Sequence, residues 1–256
     1  MRLKSRLWTE TPSTVRTKPT TERTLLVFGA HPDDIEFGCG GVVAGEVQRG
    51  RSARLVVCSR GEAGSNGAPA VRAREARRAA RELGAALEFA DLGGDAHFCA
   101  TPAQAIKLAA VIRRVRPAVV LAPTVEENQH PDHVVLGRLV RDACRLARFG
   151  GLRELRGRPP HAIGQLFFYA ITAEAEPAGM GRVLVDVSEA DVRTSWVSAM
   201  KAHASQLRTR DYVEFQLTRA RLHGLMAGVE YAQPLFPASP LLVDSLGSLE
   251  RSARRF

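Results

Sequence analysis

Leu25-Leu26-Val27-Phe28-Gly29 runs directly into Ala30-His31-Pro32-Asp33-Asp34, and the fold is read outward from that junction. Four consecutive apolar residues closed by a glycine are the pattern of a strand buried on both faces of a parallel sheet, where alternation disappears because neither face meets water. The same pattern recurs at Leu55-Val56-Val57-Cys58, more weakly from Leu87 to Ala90, and at Val119-Val120-Leu121-Ala122. Helical stretches separate these runs. One is expected from Gly40 to Gly50, one from Val71 to Leu83 closed by Gly84, one from Pro102 to Arg116 ended by Pro117, and one from about Asp132 to Phe149. Beyond a Gly/Arg/Pro-rich stretch at 150–160, Leu166-Phe167-Phe168-Tyr169 and Val183-Leu184-Val185 read as two more strands. Helices from about Glu189 to Leu207 and from Val213 to Met226 follow. Strand and helix in alternation predict a single Rossmann-like α/β domain, with an open, mainly parallel sheet flanked by helices and right-handed crossovers. The strand order is not visible in the sequence.

The chain has 256 residues with 45% hydrophobic content, enough for one large core. Residues 1–22 are rich in Thr, Pro, Lys and Arg and are expected to form a basic flexible arm. The domain is expected over 23–237 and a tail over 238–256. A formal charge of +9 raises the question of a polyanionic partner. Residues 1–23 carry six Lys/Arg against two Glu, and 250–256 three Arg against one Glu, so the body between them is only +3. A nucleic-acid partner is therefore not expected. No apolar run is long enough to span a bilayer, and the basic start is followed by polar residues rather than a signal region. The four cysteines are scattered and read as small buried residues of a cytoplasmic protein. Self-association into a homo-oligomer is left open.

Two clusters carry chemistry. Gly29-Ala30-His31-Pro32-Asp33-Asp34-Ile35-Glu36 follows the first strand, and Gln129-His130-Pro131-Asp132-His133 follows the fourth. Both therefore stand at the carboxyl edge of the sheet, where loops part and ligands bind in open α/β folds. His31, Asp34 and His133 can supply three metal ligands of the mixture zinc accepts, leaving a fourth position for water as catalytic sites do. Asp33 is then free for another role. His-Pro-Asp-Asp also stands where a dinucleotide-binding fold would carry its glycine-rich phosphate cradle, which argues against a non-catalytic nucleotide-binding module.

The run from Ala30 to Gly41, with His130-Pro131-Asp132-His133, resembles the zinc-dependent LmbE/PIG-L-type deacetylase family, whose bacterial members include enzymes of bacillithiol and mycothiol biosynthesis. The similarity continues through Arg60 to Gly67, Arg72 to Ala76 and Ala79 to Gly84, and returns at His203-Ala204-Ser205-Gln206 and Glu230-Tyr231-Ala232. The resemblance implies Zn2+ on His31, Asp34 and His133, with Fe2+, cobalt or nickel as ions the same donors suit. It implies Asp33 as general base, His130 as the group that assists the tetrahedral intermediate or protonates the leaving amine, and Asp132 as the orienting partner of His130. Arg72 matches an arginine that contacts substrate hydroxyls, with Arg74 as the near competitor. The implied reaction is hydrolysis of the N-acetyl amide of an N-acetylglucosamine-type sugar to free amine and acetate. A thiol conjugate or another acylated sugar is the alternative substrate. Gln233, where bacillithiol-type members carry an acidic residue, departs from the pattern and bears on substrate assignment. His97, His161, His203 and His223 have no paired motif and are expected to be structural or surface residues, His203 being set apart only by its place in the resemblance.

Overall fold

A computed structural model describes residues 24–127 and 130–249. The expected arm at 1–22 and the last residues of the expected tail, 250–256, lie outside the described residues, as does Gln129. The strands are β1 (Leu25–Gly29), β2 (Ala53–Val57), β3 (Ala86–Phe89), β4 (Val119–Pro123), β5 (Gln165–Tyr169), β6 (Val183–Asp186) and β7 (Ala232–Pro237). The helices are α1 (Asp34–Gln48), α2 (Pro69–Glu82), α3 (Pro102–Val115), α4 (Pro131–Leu146), α5 (Ala190–Ala202) and α6 (Tyr212–Ala227).

One seven-stranded sheet has the order β3-β2-β1-β4-β5-β7-β6. β3 through β5 are parallel, and β7 runs antiparallel to both of its neighbours. The side chains of β1 show why the run is apolar throughout: Leu25 and Val27 enter a core with α1, α2, α5 and α6, while Leu26 and Phe28 enter a second core with α3 and α4. Each of the four is almost fully removed from water, and burial of such a side chain is worth about 1.5–3 kcal/mol. β1 is followed on one side by β2, and β4 returns on its other side. The loops after β1 and β4 therefore diverge at a topological switch point, where a crevice opens.

Three features differ from the sequence reading. The first helix starts at Asp34, not near Gly40, because its glycines serve close packing rather than a loop. A Cβ on Gly38 would stand 2.3 Å from the Tyr169 ring, and one on Gly40 2.6 Å from that of Trp196. The helix kinks between them, at Cys39 (φ −148°, ψ 20°). Secondly, β7 was not expected, since Gln233, Pro234 and Pro237 mask a strand pattern that is nonetheless almost wholly buried. Thirdly, Cys39, Cys58 and Cys144 are buried as expected, but Cys99 is exposed. No helix among the described residues is long and apolar enough to cross a membrane.

Candidate metal centre

The loop after β1 is shaped by Asp34. As the first residue of α1, it turns its Oδ2 back to accept the backbone N–H groups of Ala30 and His31, both at 2.8 Å. Its other oxygen stands 3.0 Å from Nε2 of His133, which Pro131 and Asp132 place in the first turn of α4. Nδ1 of His31 completes the group, 3.2 Å from His133 Nε2 and 3.6 Å from Asp34 Oδ2. All three residues are buried. Ligands on a tetrahedral zinc at about 2.0–2.1 Å would stand about 3.4 Å from one another, so the donor set and its spacing fit such an ion.

His31 also belongs to a second group, with Asp95, His130 and Asp132. Its two ring nitrogens separate the two groups. Nε2 lies 3.0 Å from Asp95 Oδ1 and 3.3 Å from Asp132 Oδ2. A proton on Nε2 donated to these carboxylates leaves the Nδ1 lone pair facing Asp34 and His133, the arrangement in which carboxylates orient a metal-binding imidazole. Without a metal, burial works against an imidazolium at His31, but Asp34 and the hydrogen bonds to Asp132, Asp34 and Asp95 outweigh it and push its pKa up to about 12. Burial likewise opposes ionisation of Asp34, yet His133 and His31 hold its carboxyl well below the usual range. The pocket is built to hold positive charge at its floor.

Asp33 stands beside this floor with a left-handed backbone (φ 112°) that no side-chain cap explains. Non-glycine residues adopt this conformation at a cost, and such residues cluster at functional sites. Its carboxylate lies 3.4 Å from Arg72, whose guanidinium also donates to Pro32 O at 2.9 Å and to Gly61 O at 3.4 Å. Arg72 packs so closely on Gly61, itself at φ +71°, that a Cβ there would collide with the guanidinium at 2.0 Å. Arg74 is exposed. Burial and the neighbouring Asp34 raise Asp33 to about 6, with Arg72 acting in the opposite sense.

His130 is the N-cap of α4, its Nδ1 accepting from Asp132 N, and 38% of its side chain faces the opening. Burial and the His31 charge hold it below the usual imidazole range. The expected pairing with Asp132 meets a different geometry. Asp132 Oδ2 is 3.9 Å from His130 Nδ1 but 3.3 Å from His31 Nε2, and it accepts the Ala96 N–H at 2.7 Å. Asp95, which the sequence reading missed, is the carboxylate nearer His130 Nε2, at 3.5 Å. A signal existed: Gly93-Gly94-Asp95 follows β3 at the same sheet edge.

These residues open into a cavity of about 590 Å³. The half of the chain after β5 supplies much of its wall, including Ile171, Thr172, Gln206 and Tyr212. Gln206 donates to Asn66 O at 2.7 Å and so holds the 61–67 loop. Behind Ile171 and Thr172, Arg219 donates to Glu176 (2.7 Å) and to Ala170 O (2.9 Å), Gln216 donates to Ile171 O (2.7 Å), and His223 pairs with Glu176 (2.8 Å). His223 is thus structural. His161, 2.7 Å from Pro117 O, and His97, 2.7 Å from Asp95 O, are held by backbone carbonyls. His203 is fully buried, 3.3 Å from Glu36. Gln233 is also remote from the cavity; it is buried behind α1 and accepts Val42 N–H at 2.9 Å.

A model of the family described as PIG-L, GlcNAc-PI de-N-acetylase, matches residues 26–144. Among solved structures, the conserved protein TT1542 of Thermus thermophilus is 35% identical, with a TM-score of 0.76 over 86% of this chain and 96% of that one. The diacetylchitobiose deacetylase of Thermococcus kodakarensis is 28% identical over 82% of this chain and 80% of its own length. The 4-oxalmesaconate hydratase of Pseudomonas putida is 30% identical over 57% of this chain, a match that spans 62% of that protein. The matched span contains both His-Pro-Asp loops and the carboxylates around them, and the chain belongs to the PIG-L family of metal-dependent enzymes.

Proposed function

We propose that the chain is a zinc-dependent hydrolase that removes the acetyl group from an N-acetylglucosamine-type amide, with residues 23–237 as its catalytic unit. The observation that carries this reading is the convergence of His31, Asp34 and His133 beside a strained, buried Asp33. His31, Asp34 and His133 would hold the ion. When bound, a divalent metal lowers the pKa of water and stabilises negative charge developing on the amide oxygen.

The protein's own groups do the rest. Asp33, ionised above a pKa near 6, accepts the proton of the attacking water. His130, across the opening, donates a hydrogen bond to the carbonyl oxygen as charge develops, and the proton taken up by Asp33 passes to the departing nitrogen. Asp95 and Asp132 fix the His31 ring. Arg72 holds Asp33 and offers its cavity face to sugar hydroxyls. Phe37 and Tyr212 give the apolar faces of a sugar ring a surface to lie on, and Ser65, Thr172 and Gln206 are hydrogen-bonding groups for its rim.

The hydratase among the relatives supplies a second reading, because activated water can also add to a carbon–carbon double bond. Its substrate is by name an organic acid, whereas Arg72 is the single Lys or Arg among the described residues lining this cavity, and it is already engaged with Asp33. The lining therefore favours a neutral sugar. Free thiols at all four cysteines support a reducing, cytoplasmic setting.

The test is acetate release by metal-stripped and zinc-reloaded protein over N-acetylglucosamine, its malate and inositol glycosides, and diacetylchitobiose. Zinc-dependent release from one of them is expected. No release from any, with zinc-dependent hydration of an unsaturated acid, would replace this reading with the second.

A further inference from the structure

We propose that the end of the molecule opposite the metal centre docks on anionic lipid bilayers. The described body, 24–249, has a net charge of only +3, but that charge is not spread evenly. The segment 145–158 alone carries five arginines against one glutamate. Arg145 and Arg148 at the end of α4 complement its terminal carbonyls, as basic residues commonly do. Arg153, Arg156 and Arg158 lie beyond the helix and have no such explanation. All five are exposed. Among the described residues, only Arg145 has an ion-pair partner, Asp142 at 3.6 Å.

The topology puts this segment at one end. α4 begins at the metal edge and delivers residues 147–164 to the opposite edge, where β5 begins. Buried Arg113 knits the segment there, donating to the carbonyls of Ala147, Phe149, Leu155 and Arg158. Two apolar features share that end. Phe149, 51% exposed, belongs to the same segment and lies with Arg145 in the wall of a groove between α3 and α4. Leu242, 92% exposed, follows β7, whose exit is tied to the start of β5 through Gln165 and Pro240 O at 3.2 Å.

Arginines attract a negatively charged surface, and exposed apolar side chains beside them insert at the headgroup boundary. Nucleic acid would match the charge, but an aliphatic leucine has no base-stacking use. On this account the protein sits with its cavity facing away from the membrane, open to solutes.

The experiment is flotation of the full chain with vesicles of phosphatidylcholine alone or mixed with phosphatidylserine, across a salt series. Binding to the mixed vesicles, lost as salt rises, is expected. R153E/R156E/R158E should weaken it about a hundredfold or more, at about 1 kcal/mol per charge, and Phe149→Ser should weaken it with charge unchanged. Both variants should keep wild-type metal content and melting temperature. No binding, equal binding to neutral and mixed vesicles, retention of binding in the triple variant, or salt-sensitive binding to a short RNA with none to vesicles would each overturn the proposal.

Discussion

Residues 26–144 and the part of the chain after β5 meet at one cavity but contribute different things to it. The first supplies both His-Pro-Asp loops, Arg72 and Asp95, with every donor atom fixed by a strand end, a helix start or a buried carboxylate. The second supplies Ile171 and Thr172, backed by the network of Arg219, Glu176 and Gln216, together with Gln206 and Tyr212. On the proposed function, chemistry rests on the parallel half of the sheet and substrate choice on the half that contains the antiparallel strand. Variants in the first should change turnover, and variants in the second should change which substrate is accepted and how tightly.

The largest effect is expected at the proposed metal ligands. His133→Ala should lose bound metal and cut kcat by about 10⁴-fold or more, because charge stabilisation and activated water go together. Parallel metal analysis and acetate-release assays check this. Asp33→Asn should retain the metal and lose about 10²–10⁴-fold in kcat, the range for a general base. Full activity in that variant would remove Asp33 from the mechanism.

Arg72 sharpens the point through pH. A carboxylate base works only when ionised, so activity falls as pH drops through its pKa. Arg72 holds Asp33 down against burial and Asp34. Arg72→Gln should therefore move the acid limb of kcat/KM to higher pH, while Arg72→Lys should move it less. An unmoved limb would mean that another group sets it.

The smallest effect on chemistry is expected in the second half. Glu176→Gln leaves the Arg219 charge buried without its counterion, which costs about 3–5 kcal/mol of stability. KM should rise and kcat should hold, read by thermal melts and steady-state kinetics. A fall in kcat with KM unchanged would contradict the division between the halves.

The two halves also differed in how much the sequence disclosed. β1, β2 and β4 are largely buried apolar runs, so period and punctuation suffice for them, and the two His-Pro-Asp loops follow β1 and β4; β3 is a half-exposed edge strand with a weaker pattern. What stayed hidden was set by long-range packing. The helical register of Asp34 depends on Tyr169 and Trp196 accepting bare glycines, and β7 carries two prolines inside a buried strand. Asp95 follows the weakest strand run, and its role exists only because the sheet brings that loop over His31. Gln206, in the turn after α5, and Tyr212, at the start of α6, reach the cavity from far along the chain; the His203-Ala204-Ser205-Gln206 run marks the first, and no local pattern marks the second. The structure also moved the main partner of Asp132 from His130 to His31.

The measurement that tests the account most directly is the metal content of protein purified without added metal, followed by zinc titration of stripped protein. The account predicts about one divalent ion per chain, lost in His31→Ala, Asp34→Ala and His133→Ala and kept in Asp33→Asn. A metal-free wild-type protein that takes up no zinc on titration would contradict it.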